Sequence, residues 1–162
     1  MGQYSTALTD LDRAIELQPE DPESMYARGV SLKHLERYGE ATDAFSAVIS
    51  KAGRHAAAFH GRATIKYKMG DYHGAIADFS DCLTDGLDSY GMRLLRGLAF
   101  YYVGRHSEAI ADLSIAISLQ PEIGSTYLRR WQIYKEMGDD ANAAKDFEIG
   151  NKLLEMEMKS AT

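Results

Sequence analysis

The strongest constraint on the fold of this chain is a set of residues that recur every 34 positions. One position of the repeat is always alanine: Ala7, Ala41, Ala75, Ala109 and Ala143. A large apolar residue follows each alanine by four positions: Leu11, Phe45, Phe79, Leu113 and Phe147. A smaller residue follows by seven: Ala14, Val48, Cys82, Ala116 and Gly150. Spacings of four and seven mark one face of a helix, and the fixed period predicts a stack of helical repeat units.

Each repeat is predicted to contain two helices with a short break between them. Gly70, Gly104 and Gly138 mark this break, since glycine readily adopts the left-handed conformation that ends a helix. Glu36 replaces the glycine in the earliest full repeat. Helices joined by such short breaks pack antiparallel to their neighbours.

The period also divides the chain into repeats. The predicted division is 1–21 as the second helix of a truncated repeat, 22–55, 56–89 and 90–123 as full repeats, 124–157 as a terminal repeat with an extended last helix, and 158–162 as a tail. Half a hairpin leaves an apolar face with no intramolecular partner, so we expect the natural protein to continue upstream.

The columns resemble a known repeat family, and one repeat carries the resemblance best: Arg96-Gly97, Tyr102, Gly104, Ala109-Ile110, Leu113, Ala116-Ile117 and Pro121. This pattern resembles the tetratricopeptide repeat (TPR) family. The resemblance implies an all-α, right-handed superhelical solenoid of antiparallel helix hairpins, with four full repeats plus a leading half repeat. It also implies that the first helix of each hairpin lines the concave side. Trp131 departs from the pattern, because the other repeats have glycine or alanine there.

Two charged columns follow the same period. Arginine occurs at Arg28, Arg62, Arg96 and Arg130, and aspartate at Asp10, Asp78, Asp112 and Asp146. Since arginine pairs well with carboxylates at partly buried positions, the columns predict a structural ladder of ion pairs. The alternative is a row of arginines that binds phosphate or carboxylate. The pattern leaves open whether each arginine pairs within its repeat or with the preceding one, and Ala44 interrupts the aspartate column.

The resemblance also implies a partner-binding groove along the first helices. Its predicted residues are Tyr26, Val30, Lys33, His60, Thr64, Tyr67, Lys68, Leu94, Leu95, Leu98, Tyr101, Tyr102, Leu128, Arg129, Gln132 and Lys135. Basic residues outnumber Glu136 and Glu23 nearby, although the whole chain has a net charge of −6. Aromatic and leucine side chains between basic ones favour a peptide or protein partner with apolar anchors and carboxylates. The alternative is that some of these side chains only pack between neighbouring helices.

Several function classes are disfavoured by the composition. The five histidines lack metal-ligand spacing and no catalytic constellation is recognisable, so we expect no metal, no cofactor and no enzyme activity. The acidic balance, with a pI of about 5.3, argues against nucleic-acid partners. No apolar run approaches membrane-spanning length, so we expect no membrane insertion and a cytoplasmic location. The single cysteine, Cys82, is predicted to be buried and inert.

One TPR subclass holds the carboxylate tails of chaperones with lysine, asparagine and arginine. Only Arg129 matches that clamp in this sequence, whereas His60, Thr64, Leu95 and Ser125 occupy its other positions. The resemblance therefore predicts no chaperone-tail binding of that type.

The predicted function is a non-catalytic protein–protein interaction scaffold. One alternative is the recruiting arm of a larger enzyme or signalling protein. The other is a self-associating spacer that joins through its open terminal helices, because the last helix carries a stripe of apolar residues: Ile149, Leu153, Leu154, Met156 and Met158.

Overall fold

The computed structural model describes residues 2–53 and 55–160, and within them every regular element is an α-helix. The helices are α1 (Gly2–Leu17), α2 (Pro22–His34), α3 (Tyr38–Ala52), α4 (Ala56–Lys68), α5 (Tyr72–Thr84), α6 (Tyr90–Tyr102), α7 (His106–Leu119), α8 (Gly124–Met137) and α9 (Asp140–Ser160). The expected all-α class is confirmed. The first helix ends at Leu17, and α9 continues through Ser160, beyond residue 157 where the terminal repeat is predicted to end.

The helices form two compact units, one ending at Leu87 and the other beginning at Asp88. In the first unit, α2 with α3 and α4 with α5 form hairpins, while α1 packs against α2. In the second unit, α6 with α7 and α8 with α9 form hairpins, and α7 packs against α8. Within each unit, the second helix of one hairpin thus contacts the first helix of the next.

The core of the first unit is built around the ring of Phe45, which is fully buried. This ring lies between two glycines on different helices, Gly29 on α2 and Gly61 on α4. A Cβ atom at Gly61 would lie 2.6 Å from the Cζ atom of Phe45, and one at Gly29 would lie 2.8 Å from its Cε1 atom. The large residue of the repeat therefore fills the space between neighbouring hairpins, and small residues make that space available.

The same column changes its environment along the chain. Phe79 and Leu113 are as fully buried as Phe45, whereas Phe147 on α9 is 48% exposed. The ring of Phe147 contacts Trp131 on α8, with 5.2 Å between the ring centroids. Trp131 thus covers one side of Phe147 but does not enclose it.

The breaks inside the hairpins all use the same backbone conformation. Gly70, Gly104 and Gly138 have φ angles of 82°, 76° and 75°, and Glu36 has a φ angle of 58°. The structure therefore keeps the glycine geometry where the sequence lacks the glycine. A residue with a Cβ atom is strained in this region.

We predict that Glu36→Gly stabilises the protein. Relief of left-handed strain is worth about 1–2 kcal/mol, and the greater freedom of glycine in the unfolded chain costs about 0.4–1 kcal/mol. The free energy of unfolding, measured by urea denaturation, should rise by about 0.5–1 kcal/mol. Gly70→Ala, at the equivalent position of the next repeat, should lower it. A loss of stability in Glu36→Gly would show that the glutamate side chain has a role outweighing the strain.

Candidate functional site

Seven of the predicted groove residues lie on α2 and α4 of the first unit, which pack directly against each other. We call them the first face: Tyr26, Val30, Lys33, His60, Thr64, Tyr67 and Lys68. Lys68 is exposed and the other six are half-buried. None belongs to the fully buried core, so each presents some surface to solvent.

The charged side chains of the first face are all basic. Burial lowers the pKa of Lys33, and the neighbouring charge of Lys68 lowers it further. Burial likewise lowers the pKa of His60, with a smaller contribution from the charge of Lys33. The ammonium group of Lys68 donates a hydrogen bond to the hydroxyl of Tyr38 at 3.3 Å and lies 5.5 Å from the centre of that ring.

The other side chains of the first face have contacts that fix their orientation. The ring of Tyr26 lies 5.1 Å from that of His55 and 5.8 Å from that of Phe45, measured between centroids. Val30 packs against the buried core. The hydroxyl of Thr64 donates a hydrogen bond to the backbone oxygen of His60 at 2.8 Å. These residues provide a largely apolar surface around the basic groups.

The remaining nine predicted residues lie on α6 and α8 of the second unit, and we call them the second face. They are Leu94, Leu95, Leu98, Tyr101, Tyr102, Leu128, Arg129, Gln132 and Lys135. Tyr102, Arg129 and Lys135 are exposed, and the others are half-buried. Six of its nine residues are leucine or tyrosine, whereas only three of the seven residues of the first face are apolar or aromatic without a charge (Tyr26, Val30 and Tyr67), so the second face is the more apolar of the two.

A hydrogen-bonded network joins α6 and α8 on the second face. The hydroxyl of Tyr101 donates to Glu136 at 2.6 Å, and the side-chain amide of Gln132 donates to that hydroxyl at 2.8 Å. The bond to Glu136 raises the pKa of Tyr101. Lys135 turns to Asp140, with 2.6 Å between its ammonium nitrogen and a carboxylate oxygen. Two charges counted for the groove are thus already engaged within the second unit.

The arginine and aspartate columns form a ladder within the repeats. Arg62 pairs with Asp78, Arg96 with Asp112, and Arg130 with Asp146, always across the hairpin and 16 positions apart. The structural interpretation of the columns is confirmed. These aspartates are almost completely buried, and hydrogen bonds to them raise the pKa of Arg62 and Arg130.

Where the aspartate column is interrupted, the ladder pairs differently. The position 16 residues after Arg28 is Ala44, and Arg28 instead contacts Asp12 on the preceding helix at 2.6 Å. Serine takes that backward position in all three later repeats, at Ser46, Ser80 and Ser114. Arg62 donates to Ser46 at 2.9 Å, and Arg130 donates to Ser114 at 2.7 Å.

The sequence interpretation missed these serines and also Arg93. Ser46, Ser80 and Ser114 recur with the 34-residue period, so the signal was present in the sequence. Arg93 bridges Asp88 and Asp112 at 2.6 and 2.8 Å. Nothing in the repeat pattern indicates Arg93, because its position is not basic in the other repeats.

Cys82 is fully buried, as the sequence predicted. Its thiol donates a hydrogen bond to the backbone oxygen of Ala56 at 3.4 Å. Burial, reinforced by the charge of Asp78, raises the pKa of the thiol from 9.0 to about 12. The thiolate, which is the reactive form, is therefore scarce at neutral pH.

We predict that Cys82 is unreactive towards a disulfide reagent such as DTNB while the protein is folded. A pKa three units higher reduces the thiolate fraction about 1000-fold, and burial blocks access as well. Stopped-flow absorbance at pH 8 should show no rapid phase in native buffer and one equivalent of rapid reaction in guanidinium chloride. Ser118→Cys, which adds an exposed cysteine, provides the positive control. Rapid labelling of Cys82 in native buffer would contradict the prediction.

The described residues contain neither a metal-binding cluster nor a membrane-spanning helix. In residues 2–53 and 55–160, no group of three or more histidine, cysteine, aspartate or glutamate side chains is arranged to hold a metal ion. Among the same residues, no helix is both sufficiently long and sufficiently apolar to span a bilayer.

Known proteins share this architecture. A family model described as "Tetratricopeptide repeat" matches residues 1–58 and 60–122. The DnaJ homolog subfamily C member 7 homolog of Dictyostelium discoideum is 25% identical over 169 residues, which cover 94% of this chain and 31% of that protein. This chain spans less than a third of the length of the first curated relatives it matches.

Solved structures give the same fold. The crystal structure of MamA superposes with a TM-score of 0.90 at 17% identity, covering 98% of this chain and 92% of that chain. YrrB, a TPR protein with an unusual peptide-binding site, superposes with a TM-score of 0.82 at 16% identity, covering 88% and 74%. The family match extends over most of the chain and agrees with the helical hairpins of the structure. The chain therefore belongs to the tetratricopeptide repeat family.

Proposed function

We propose that this chain is a non-catalytic interaction scaffold that binds a peptide or protein partner through the first face and the second face. The observation that carries the proposal is the apolar surface of the second face. Leu94, Leu95 and Leu98 remain partly exposed on α6, next to Tyr102, which is 52% exposed. Apolar side chains arranged with polar groups between them are typical of surfaces that bind peptides.

The polar groups of the second face suit the same role. Gln132 and Tyr101 are held in place by their hydrogen bonds to each other and to Glu136. Because these bonds already use the amide and hydroxyl hydrogens, the preorganised carbonyl oxygen of Gln132 is the group that can accept a hydrogen bond from the backbone of an extended peptide, at little cost in side-chain entropy. YrrB, which has this fold, carries a peptide-binding site. In a longer protein, the same faces would serve as a recruiting arm.

The test is a pull-down with the double variant Leu98→Glu, Tyr102→Glu beside the wild type. Two carboxylates on the second face should abolish capture of a partner that buries apolar groups there. The matched control is Ala111→Glu, Leu119→Glu, which adds the same charge at two exposed positions of α7. Circular dichroism of all three proteins establishes that the helices are retained.

The pattern across the variants decides the outcome. A partner that is captured by the wild type and the α7 control, and lost by the folded α6 variant, supports the proposal. A partner that is retained by the α6 variant and lost by the α7 control would refute binding at the second face.

A second candidate function, self-association, is favoured by exposed apolar residues on α9. Phe147, Ile149 and Met156 are 48%, 41% and 57% exposed. Light scattering over a range of protein concentrations distinguishes a spacer from a monomeric binder. A mass that grows with concentration, and that returns to the monomer in Phe147→Glu, would support assembly. A constant monomer mass would exclude it.

A further inference from the structure

The first face contains a basic cluster formed by Lys33, Lys68 and His60. Carboxylates balance the charges of the other half-buried cations in the described chain but not the charge of Lys33. Lys33 lies in the last turn of α2 and Lys68 in the last turn of α4, and these helices are in contact. His60 lies on the same face, eight residues or about two helical turns before Lys68. Burial lowers the pKa of Lys33 and of His60, and in addition the charge of Lys68 acts on Lys33 and the charge of Lys33 acts on His60.

Lys33 differs from the other half-buried cations of the described chain. Each of the others has a carboxylate within 4.0 Å: Arg28, Arg62, Lys66, Arg93, Arg96 and Arg130. Lys33 has no carboxylate within that distance among residues 2–53 and 55–160. A partly desolvated cation without a counter-ion is unfavourable, and the favourable solution is an anion from outside.

The neighbours of the cluster do not provide that anion. Lys68 contacts the hydroxyl and ring of Tyr38, which are neutral. The partial negative charge at the ends of α2 and α4 offsets the lysines only in part, since it amounts to about half an elementary charge per helix. The cluster therefore retains a net positive potential on the first face, although the whole chain is negative.

The chemistry of the cluster favours a carboxylate over a phosphate. Phosphate sites commonly use the bidentate guanidinium of arginine or the amide groups at a helix N-terminus. The cluster has two lysines and a histidine but no arginine, and both lysines lie at the C-terminal ends of their helices, where the dipole disfavours a dianion. Tyr26 and Val30 supply apolar surface beside it. A singly charged carboxylate flanked by apolar groups fits these surroundings.

We propose that the first face binds an acidic side chain of a peptide ligand, with Lys33 and Lys68 supplying the ammonium groups and Tyr26 and Val30 contacting the flanking apolar residues. This proposal rests on the proposed function and specifies its ligand. Lys33 and Lys68 lie outside the positions that correspond to the chaperone-tail clamp, which His60 and Thr64 occupy in these repeats. The proposed ligand group is the side chain of an internal aspartate or glutamate, so binding requires no free C-terminus.

The test is a selection of random 12-residue peptides displayed on phage through their C-termini, so that no free terminal carboxylate is present. The wild type should enrich peptides with an aspartate or glutamate next to an apolar residue. The best such peptide, synthesised with blocked termini, should bind Lys33→Met, Lys68→Met at least about tenfold more weakly, which corresponds to the loss of one charge-assisted contact. Affinity should also decrease with added sodium chloride.

The matched control removes the same charge elsewhere. Lys145→Met, Lys152→Met changes two exposed lysines on α9 and should bind the peptide as the wild type does. Exchange of the peptide's acidic residue for its amide should weaken binding to the wild type and should not affect the Lys33 and Lys68 variant. Inorganic phosphate should compete no better than sodium chloride of the same ionic strength.

Thermal unfolding provides an independent measurement. If Lys33 is an uncompensated cation, Lys33→Met should raise the melting temperature by about 2–4 °C. A lysine with only a structural role would lower the melting temperature when removed. Circular dichroism should show the wild-type helix content for Lys33→Met and for Lys33→Met, Lys68→Met, which establishes that both variants fold.

The outcomes separate this proposal from the proposed function. Enriched peptides without acidic residues, lost by Leu98→Glu, Tyr102→Glu but retained by the lysine variant, would overturn the acidic ligand and leave the scaffold proposal intact. Strong competition by phosphate would overturn the choice of carboxylate. If no peptide is enriched and the pull-down partner binds equally well to every face variant, both proposals fail.

Discussion

Asp78→Ala should cost about 3–5 kcal/mol of the free energy of unfolding, because it leaves two partly buried cations without their carboxylate. Arg62 donates to both oxygens of Asp78 at 2.8 Å, and the ammonium of Lys66 lies 3.0 Å away. The side chain of Asp78 is 4% exposed. Urea denaturation followed by circular dichroism measures the effect.

The control for this prediction is Glu40→Ala in the same unit. Glu40 pairs with Arg37 at 2.6 Å, but both side chains are close to half exposed. Exposed pairs of this kind contribute little to the free energy of unfolding, because solvent and salt screen them. Both variants remove one negative charge, so a shared loss would reflect net charge only. Equal losses in the two variants would contradict the assignment of the buried ladder as a stabilising element.

Phe45→Ala should have a comparable effect through packing. The ring is fully buried between Gly29 and Gly61, and substitutions of this kind cost about 3–5 kcal/mol because a cavity remains. The two glycines cannot move inwards to fill that space without displacing α2 and α4. The free energy of unfolding in urea is again the measurement.

Phe147→Ala is the matched control, since it occupies the same column of the repeat. Phe147 is 48% exposed and contacts Trp131, so its removal should cost about 1 kcal/mol. The difference between the two variants tests whether the column stabilises the fold by filling the space between hairpins. An equal loss in the free energy of unfolding for Phe147→Ala and Phe45→Ala would contradict this, because it would show that burial of the side chain does not determine its contribution to stability.

The repeat pattern predicts the fold because the same positions pack in the same way in successive repeats. Ala41, Ala75, Ala109 and Ala143 are all buried, and so are Phe45, Phe79 and Leu113, the large residues four positions after the first three of them. A single alanine or phenylalanine would not have indicated this. Exposure of Phe147 could also be anticipated, since the described chain has no helix after α9 to cover it.

The direction of the ion pairs could not be obtained in the same way. Arg62 has Asp78 ahead of it and Ser46 behind it at equal sequence distances, and the pattern alone does not choose between them. The structure shows that arginine reaches both helices, with the carboxylate in its own hairpin. Arg28 reaches Asp12 because Ala44 offers no acceptor.

The net charge of the candidate groove also could not be predicted from the sequence pattern. Counting residues treats Lys33 and Lys135 alike, yet Lys135 contacts Asp140 only five residues later, across the break between α8 and α9. Glu136 accepts a hydrogen bond from Tyr101, 35 residues earlier. Lys33 has neither kind of partner in the described chain. The two lysines therefore differ in whether a carboxylate balances their charge, and only side-chain geometry shows this.

The most direct test of the interaction account is an amide NMR titration of the labelled protein with the peptide selected by display. Binding at the proposed faces predicts that the largest chemical-shift changes occur on α2 and α4 around Lys33 and Lys68, or on α6 and α8 around Leu98. Changes confined to α3, α5, α7 or α9 would contradict the account, because they would place the ligand on the second helices of the hairpins.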